Sequence, residues 1–123
     1  MARRSAEHEL QKAIAAFLRV AMPPGTNWTA IDHAGTSAKH GAMLRARGVK
    51  SGVPDFHFTI KGKVYWIELK TRTGRVSPEQ NAFAEAEMDA GAYYEVCRSA
   101  EEVEDQLRLW GVKLQASITR RAA

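Results

Sequence analysis

Two short apolar runs in the middle of the chain, residues 56–60 and 64–69, constrain the fold most strongly. Both runs are rich in aromatic and β-branched residues, and Lys61-Gly62-Lys63 separates them, which is the pattern of a β-hairpin. Because successive side chains of a strand alternate between its faces, both faces of the second run carry large apolar side chains. The sequence therefore predicts a hairpin whose second strand is buried on both faces.

Three charged residues interrupt this apolar hairpin. Asp55 precedes its first strand, and Glu68 and Lys70 end its second. Ionised groups in a buried strand cost free energy unless they are paired or bind a metal. The start of one strand of a hairpin lies beside the end of the other, so we expect the three side chains to converge at one end of the sheet. Two carboxylates there suit Mg²⁺ or Mn²⁺ and leave coordination positions for water and a phosphate oxygen.

The length and composition indicate one globular domain over residues 1–123, with a core at about 5–110 and a polar, frayed C-terminal tail at 112–123. No apolar run approaches the roughly 20 residues of a membrane span, and the first ten residues lack a signal-peptide pattern. We therefore expect a cytoplasmic protein of a prokaryotic or phage-infected cell, with no membrane partner. The single cysteine, Cys97, lies in a strand-like run and is interpreted as a reduced core thiol.

Charge is distributed unevenly along the chain. Residues 39–75 contain nine basic residues against two acids, a net charge of +7, whereas residues 76–110 contain two basic residues against nine acids, a net charge of −7. A solvated basic surface explains the first segment equally well when it is taken alone. Basic residues around a few acids are also what a metal-dependent site for a phosphate polyanion requires.

Helix and strand signals give the order of the elements. A first helix is predicted over residues 6–21 with Ser5 as its cap and Glu7 on its apolar face. A strand over 27–33, a glycine-containing turn and a basic helix over 37–47 precede the hairpin. After it, Ser77, Pro78 and Gln80 open a helix that Gly91 ends, a strand covers 92–98, and Ser99 with Glu102 opens a helix that Gly111 ends. The order α-β-α-β-β-α-β-α predicts an α/β fold with a mixed sheet flanked by helices.

The motifs on this framework resemble the PD-(D/E)xK nuclease superfamily, and within it the VRR-NUC (virus-type replication-repair nuclease) family. The resemblance covers roughly residues 5 to 110. On the first helix, an acid precedes an aliphatic-Gln pair, here Glu7 to Gln11. A Gly-x-Pro-Asp approach to the first acid of the hairpin spans Gly52 to Asp55. An acid-aliphatic-Lys-Thr strand end spans Glu68 to Thr71, and a Gly-x-x-Ser-x-x-Gln element spans Gly74 to Gln80.

This resemblance implies a restriction-endonuclease-like core and in-line hydrolysis of a phosphodiester. Asp55 and Glu68 would hold Mg²⁺ or Mn²⁺, with the Leu69 backbone carbonyl as a further ligand, and Lys70 would orient or deprotonate the attacking water or stabilise charge on the phosphoryl group. Gln80 would position Lys70 or a phosphate oxygen, and Glu7 would complete the acidic site. The phosphate contacts expected around this site are Lys39, Arg45, Arg47, Lys50, Arg72 and Arg75.

The favoured function is a structure-specific DNA endonuclease, similar to small phage-type resolvases that act as homodimers on Holliday junctions. The alternatives are a nicking or flap nuclease of a phage replication, packaging or defence system, and a nucleic-acid-binding module of the same fold that does not cut. No small-molecule cofactor is expected. Gln80 as a simple helix cap competes with its catalytic interpretation, and Asp32, His33 and His57 are interpreted as structural residues even where they touch the site.

Overall fold

The computed structural model of the protein describes residues 2–33 and 37–120. Four helices and four strands follow one another in the predicted order, and the α/β fold class is confirmed. They are α1 (Ala2–Ala21), β1 (Thr26–Ala30), α2 (Ala38–Ala46), β2 (Phe56–Ile60), β3 (Lys63–Leu69), α3 (Pro78–Asp89), β4 (Tyr93–Cys97) and α4 (Ala100–Leu109). Within the described residues, no helix combines the length and apolar character needed to cross a membrane.

The sheet has the strand order β1-β2-β3-β4 and is mixed. β1, β2 and β3 form an antiparallel meander, and β4 is parallel to β3. The β2–β3 turn has positive φ at both Lys61 (51°) and Gly62 (77°), as a type I′ hairpin turn requires. This turn fixes the register in which Phe56 faces Ile67, so the charged residues at the far end of the hairpin are aligned.

Most of the apolar core lies on one face of the sheet. Ile14 and Leu18 of α1 and Leu107 of α4 are fully buried against alternate residues of the central strands, including Phe56, Phe58, Ile67 and Leu69. On the opposite face, the Trp66 ring meets the Phe83 ring of α3 edge-on at 5.5 Å, and its indole N–H donates to Glu87. β3 is therefore buried on both faces, as the sequence predicts.

Cys97 lies in the core, as the sequence predicts, and Trp28 and Trp110 pack against it. Cys97 is buried, and burial raises the pKa of its thiol to about 12, so it is a core residue. Trp28 packs against the core beside Phe56. Trp110 lies against Tyr65 with ring centroids 4.9 Å apart.

Some element boundaries differ from those predicted. Helix α1 begins at Ala2, so Ser5 lies inside the helix and is not its cap; alanine and arginine are strong helix formers and extend it. β1 ends at Ala30, which places Asp32 and His33 in a loop. The predicted turn at Gly35 lies outside the described residues.

The helix caps predicted at Ser77 and Ser99 are observed, and Ser37 caps α2 in the same way. Ser37, Ser77 and Ser99 each accept a backbone N–H three residues ahead. Gly91 and Gly111 have φ of 100° and 89° directly after their helices, where only glycine is unstrained. The second capping box is incomplete, because the Glu102 carboxylate accepts from Arg98 N–H at 2.8 Å.

The edge strand β4 has carboxylates on its outward amides. Lys70 N–H donates to the Cys97 carbonyl, so Val96 and Arg98 direct their own N–H groups away from β3. The Glu95 carboxylate accepts from Val96 N–H at 3.3 Å, and Glu102 accepts from Arg98 N–H. Capped amides of this kind discourage pairing with a further strand.

The segment after α4 is held more firmly than a frayed tail. Gln115 N–H donates to the Ala21 carbonyl at 2.7 Å, and Ile118 N–H donates to the Glu104 carboxylate at 3.2 Å. Glu104, whose side chain is only 5% exposed, also pairs with Arg108 at 2.8 Å and with Arg120 at 3.0 Å. Because a buried carboxylate must be compensated, this residue fixes the tail to α4.

Replacing Glu104 by Gln should destabilise the protein by about 1–3 kcal/mol near neutral pH, the usual scale for hydrogen bonds to a charged group. Burial alone would raise the pKa of Glu104, but hydrogen bonds from Arg108, Arg120 and Ile118 lower it to about 2. A depressed carboxyl pKa stabilises the fold above the unfolded value, about 4.5, and this contribution is lost as pH falls toward 2. Urea unfolding of wild type and variant should therefore converge between pH 4.5 and pH 2.

Asp105→Asn is the matched control, because its side chain is 65% exposed although it also contacts Arg120. It should change stability by less than about 1 kcal/mol. Equal effects of the two substitutions would show that Glu104 does not hold the tail.

Candidate active site

The hairpin brings Asp55 and Glu68 together at one end of the sheet. Continuing the register from Phe56 and Ile67 sets Asp55 opposite Glu68, with both side chains on the α3 face. The Asp55 carboxylate accepts the Leu69 backbone N–H at 2.7 Å through Oδ2. This bond fixes the orientation of the carboxylate, so the predicted juxtaposition is a consequence of strand pairing.

The predicted catalytic and metal-binding residues line one cavity of about 460 Å³, which we call the site cavity. It lies between the N-terminus of α3, the end of β3 and the loop before β2. Its wall includes Glu7, Asp55, Glu68, Leu69, Lys70 and Gln80. Glu7 reaches the cavity from α1, as its predicted place on the apolar face of the helix requires, whereas Glu9 is exposed and pairs with Lys12.

Glu68 is the most perturbed group of the site. It is 2% exposed, and its Oε1 atom is buried without a hydrogen-bond donor among the described residues. Burial, the neighbouring Asp55 carboxylate and Glu7 raise the pKa of Glu68 to about 9, against the opposing charge of Lys70. The site therefore stabilises either a proton on Glu68 or a cation beside it.

The donor set fits a hard divalent cation. Two carboxylates and a strand-end carbonyl are oxygen ligands of the kind that Mg²⁺ and Mn²⁺ prefer. The buried Glu68 oxygen that lacks a donor is an available ligand atom. Within the part of the chain that the structure describes, no three His, Cys, Asp or Glu side chains form a metal-binding group on their own, so water or substrate oxygens would complete the coordination.

Gln80 caps α3, as one of its two sequence interpretations predicts, and it also contacts Glu68, whereas its role toward Lys70 or a phosphate oxygen stays a prediction. Its side-chain oxygen accepts Ser77 N–H at 2.9 Å and completes the capping box of α3. Its side-chain N–H₂ group donates to Glu68 Oε2 at 3.3 Å. The two ends of one amide thus link the start of α3 to the buried carboxylate.

The loop before β2 approaches α3 closely at Gly52. A Cβ atom at this position would lie 2.3 Å from the Glu79 carbonyl oxygen and 2.7 Å from Gln80 N, and φ is 80°. Only glycine satisfies both conditions. Gly52 therefore allows the loop that carries Asp55 to pack against the turn that carries Gln80.

His33 and Arg98 are contacts that the sequence analysis did not assign to the site. His33 Nε2 lies 3.5 Å from Asp55 Oδ1 and lines the site cavity, whereas His57 packs against Trp66. Arg98 donates to the Thr71 and Gly74 carbonyls, at 2.7 Å each, and holds the loop after β3. Neither contact has a sequence signal, because each joins residues that only the sheet brings together.

The basic residues predicted as phosphate contacts are all exposed. Arg45 and Lys50 line cavities beside the site cavity. Arg72 and Arg75 lie on or next to the loop that Arg98 holds. Lys39 and Arg47 lie in or at the end of α2, where they line none of the cavities described here.

A mixed sheet whose central hairpin ends in two carboxylates and a lysine, beside a helix start, is the arrangement of a nuclease-type domain. The model of the VRR-NUC domain family matches residues 5–101, and the chain belongs to this family of nuclease domains. The resemblance inferred from the motifs is thereby confirmed. No curated protein sequence matches the chain significantly.

Two solved structures are similar to the chain in fold. One, described as a VRR_NUC domain protein, has a TM-score of 0.66 and 18% sequence identity over 85% of this chain and 86% of that one. The other, described as a VRR_NUC domain, has a TM-score of 0.54 and 20% identity over 83% of this chain and 94% of that one. At such identities the similarity shows the shared fold alone.

Gly52→Ala should destabilise the protein by several times the roughly 1 kcal/mol that left-handed backbone costs alanine, because backbone atoms of α3 would also have to move. Thermal unfolding would measure the loss. Gly48→Ala is the matched control, since Gly48 also has positive φ, 89°, but a Cβ there meets nothing within 4 Å. Similar losses for both variants would exclude the close approach as the cause.

In chelator, the Glu68→Gln variant should become increasingly more stable than the wild type as pH rises. A carboxyl pKa raised from 4.5 to about 9 favours the fold below pH 4.5, and this advantage is lost as pH rises toward 9. The neutral amide of the variant does not undergo this loss. The difference in free energy of unfolding between variant and wild type should therefore grow between pH 4.5 and pH 9, by at most about 1.4 kcal/mol per pH unit. Denaturant unfolding across this range would measure it.

Glu85→Gln, an exposed carboxylate of α3, provides the control and should show no such growth. Mg²⁺ or Mn²⁺ should narrow the difference, since a cation beside Glu68 stabilises its ionised form. A Glu68→Gln variant that gains nothing between pH 4.5 and pH 9 would contradict the raised pKa.

Proposed function

We propose that this protein is a divalent-metal-dependent DNA endonuclease that hydrolyses phosphodiester bonds in the site cavity. The observation that carries the proposal is the buried Glu68 beside the half-buried Asp55, with Lys70 at the same sheet end, where one Glu68 oxygen lacks a donor among the described residues. A structural ion pair would have satisfied these groups among themselves. Family membership supports the same reaction class.

Each residue of the site is proposed to have its own role in the reaction. Asp55, Glu68 and the Leu69 carbonyl are proposed to hold Mg²⁺ or Mn²⁺, which when bound supplies Lewis acidity toward a phosphate oxygen and the attacking water. Lys70 orients or deprotonates that water, or balances negative charge on the phosphoryl group as it accumulates. Its low exposure, 9%, strengthens each of these interactions by excluding solvent.

Gln80 and Glu7 support this arrangement. Gln80 holds Glu68 from the rigid start of α3, so the carboxylate is oriented before substrate arrives. Glu7 also lines the site cavity and adds negative charge near Glu68, which favours a cation there. Arg45 and Lys50, which line neighbouring cavities, and Arg72 and Arg75, on or next to the loop after β3, are proposed to contact phosphates, with Lys39 and Arg47 extending the basic surface.

The proposed substrate is branched DNA, cut by a homodimer as in a Holliday-junction resolvase. Two sites related by a two-fold axis would cut two strands of a branched DNA symmetrically. This finer assignment rests on the resemblance described above. A nicking or flap nuclease uses the same site, and substrate choice distinguishes it from a resolvase.

The test is cleavage of labelled four-way junction, flap, nicked, duplex and single-stranded DNA in Mg²⁺, in Mn²⁺ and in chelator. Wild type should cut only with metal, and Asp55→Asn and Lys70→Met should each lower the rate at least about 100-fold, the scale on which single transition-state groups act. Glu85→Gln should cut normally. Symmetric cuts confined to the junction would support the resolvase.

Binding is measured alongside cleavage. Asp55→Asn should retain DNA affinity, because it removes a metal ligand and leaves the basic surface intact. If the wild type binds these DNAs in either metal and never cuts them, the protein is a binding module of the nuclease fold and the proposed function is wrong.

A further inference from the structure

A second groove opens beside the site cavity, between α3 and the loop that joins α2 to β2. It has a volume of about 630 Å³, and we call it the α3 groove. Ser51 and Glu79 line both this groove and the site cavity, so the two spaces adjoin. We propose that the α3 groove binds an unpaired nucleobase of the DNA next to the bond that is cut. This inference rests on the proposed function.

The floor of the α3 groove has the character of a base-stacking surface. Phe83, Ala82, Ala86 and Val49 line it, and its exposed lining is mainly apolar. Phe83 is half-buried and its ring is held edge-on against Trp66. A fixed aromatic ring on an apolar floor offers stacking to any base, because every base has a π face.

The wall from the α2–β2 loop supplies positive charge at the rim. Arg45 and Lys50 are exposed and line the α3 groove. Their placement follows from the end of α2, where Gly48 N–H and Val49 N–H return to carbonyls of α2 and turn the chain toward α3. Two cations at the mouth of an apolar groove suit a nucleotide whose base enters and whose phosphates stay at the rim.

The opposite wall distinguishes a base from a phosphate as the occupant. Glu79 and Glu87 of α3 line the groove. Carboxylates repel a phosphate, but they accept hydrogen bonds from the exocyclic amino groups of adenine, cytosine and guanine. Apolar floor, basic rim and acidic wall together match a nucleotide with its base turned inward.

A base can enter the groove only when it has left its stack. Unstacking costs least at a branch, flap or gap, where the base is already unpaired. The α3 groove would therefore give the nuclease a preference for DNA with an unpaired nucleotide beside the cut, through contacts on the base itself.

The test uses a series of otherwise identical branched DNAs, each with one abasic nucleotide near the cut. For the wild type, one position should lower kcat/KM about tenfold or more, the scale of lost base stacking. Ala86→Phe, which fills the groove from an exposed position, should lower kcat/KM on intact DNA similarly and be insensitive to the abasic nucleotide. Ala82→Phe fills the same groove one turn earlier and should agree.

Ala90→Phe is the matched control, since Ala90 is exposed at the end of α3 and does not line the groove. It should behave as wild type. A direct readout places 2-aminopurine at each position of the series in turn, in chelator. At one position its fluorescence should change on binding wild type and Ala90→Phe, and should not change with Ala86→Phe.

The outcomes separate this inference from the proposed function. If metal-dependent cleavage by the wild type and by Ala86→Phe responds equally to abasic nucleotides, the inferred base site is wrong and the proposed nuclease activity stands. If the 2-aminopurine fluorescence changes on binding but no DNA is cut, the base site is supported and the proposed nuclease activity is wrong. A change of oligomeric state in Ala86→Phe, with no effect of base removal, assigns the groove to a second copy and overturns the inference.

Discussion

The hydrogen bond from Leu69 N–H to the Asp55 carboxylate is the contact on which the site depends. It sits where the β2–β3 ladder ends, so it transmits the register of the hairpin directly to a functional side chain. The type I′ turn sets that register from the other end. A slip of one residue would turn Glu68 to the α1 side of the sheet, where the core lies. Fold and site are therefore specified by the same pairing.

The residues around the hairpin hold Glu68, a buried carboxylate that is costly to ionise. Its burial is unfavourable for the ionised form, and Asp55 and Glu7 increase that cost. Gln80 donates one hydrogen bond, which leaves the other oxygen without a donor among the described residues. The N-terminal turn of α3 is consequently part of the site, and Gly52 allows the approach that keeps it there.

Much of this arrangement could be predicted because it depends on short-range patterns. The hairpin, the Ser77 and Gln80 cap and the facing of Glu7 each follow from periodicity or local chemistry. Other features could not be predicted, because they join distant segments. Arg98 reaches carbonyls more than twenty residues away, and His33 approaches Asp55 across a strand pair. The tail appeared polar and unheld because its partner, Glu104, looks like a surface helix residue in sequence.

The two edges of the sheet differ in a way that limits how copies of the chain can associate. β1 and β4 each have a neighbouring strand on one side only, but on β4 the carboxylates of Glu95 and Glu102 occupy the outward amides of Val96 and Arg98. Growth of a continuous fibre by edge pairing needs two open edges on every molecule. The two occupied amides of β4 therefore oppose the growth of a fibre through this edge.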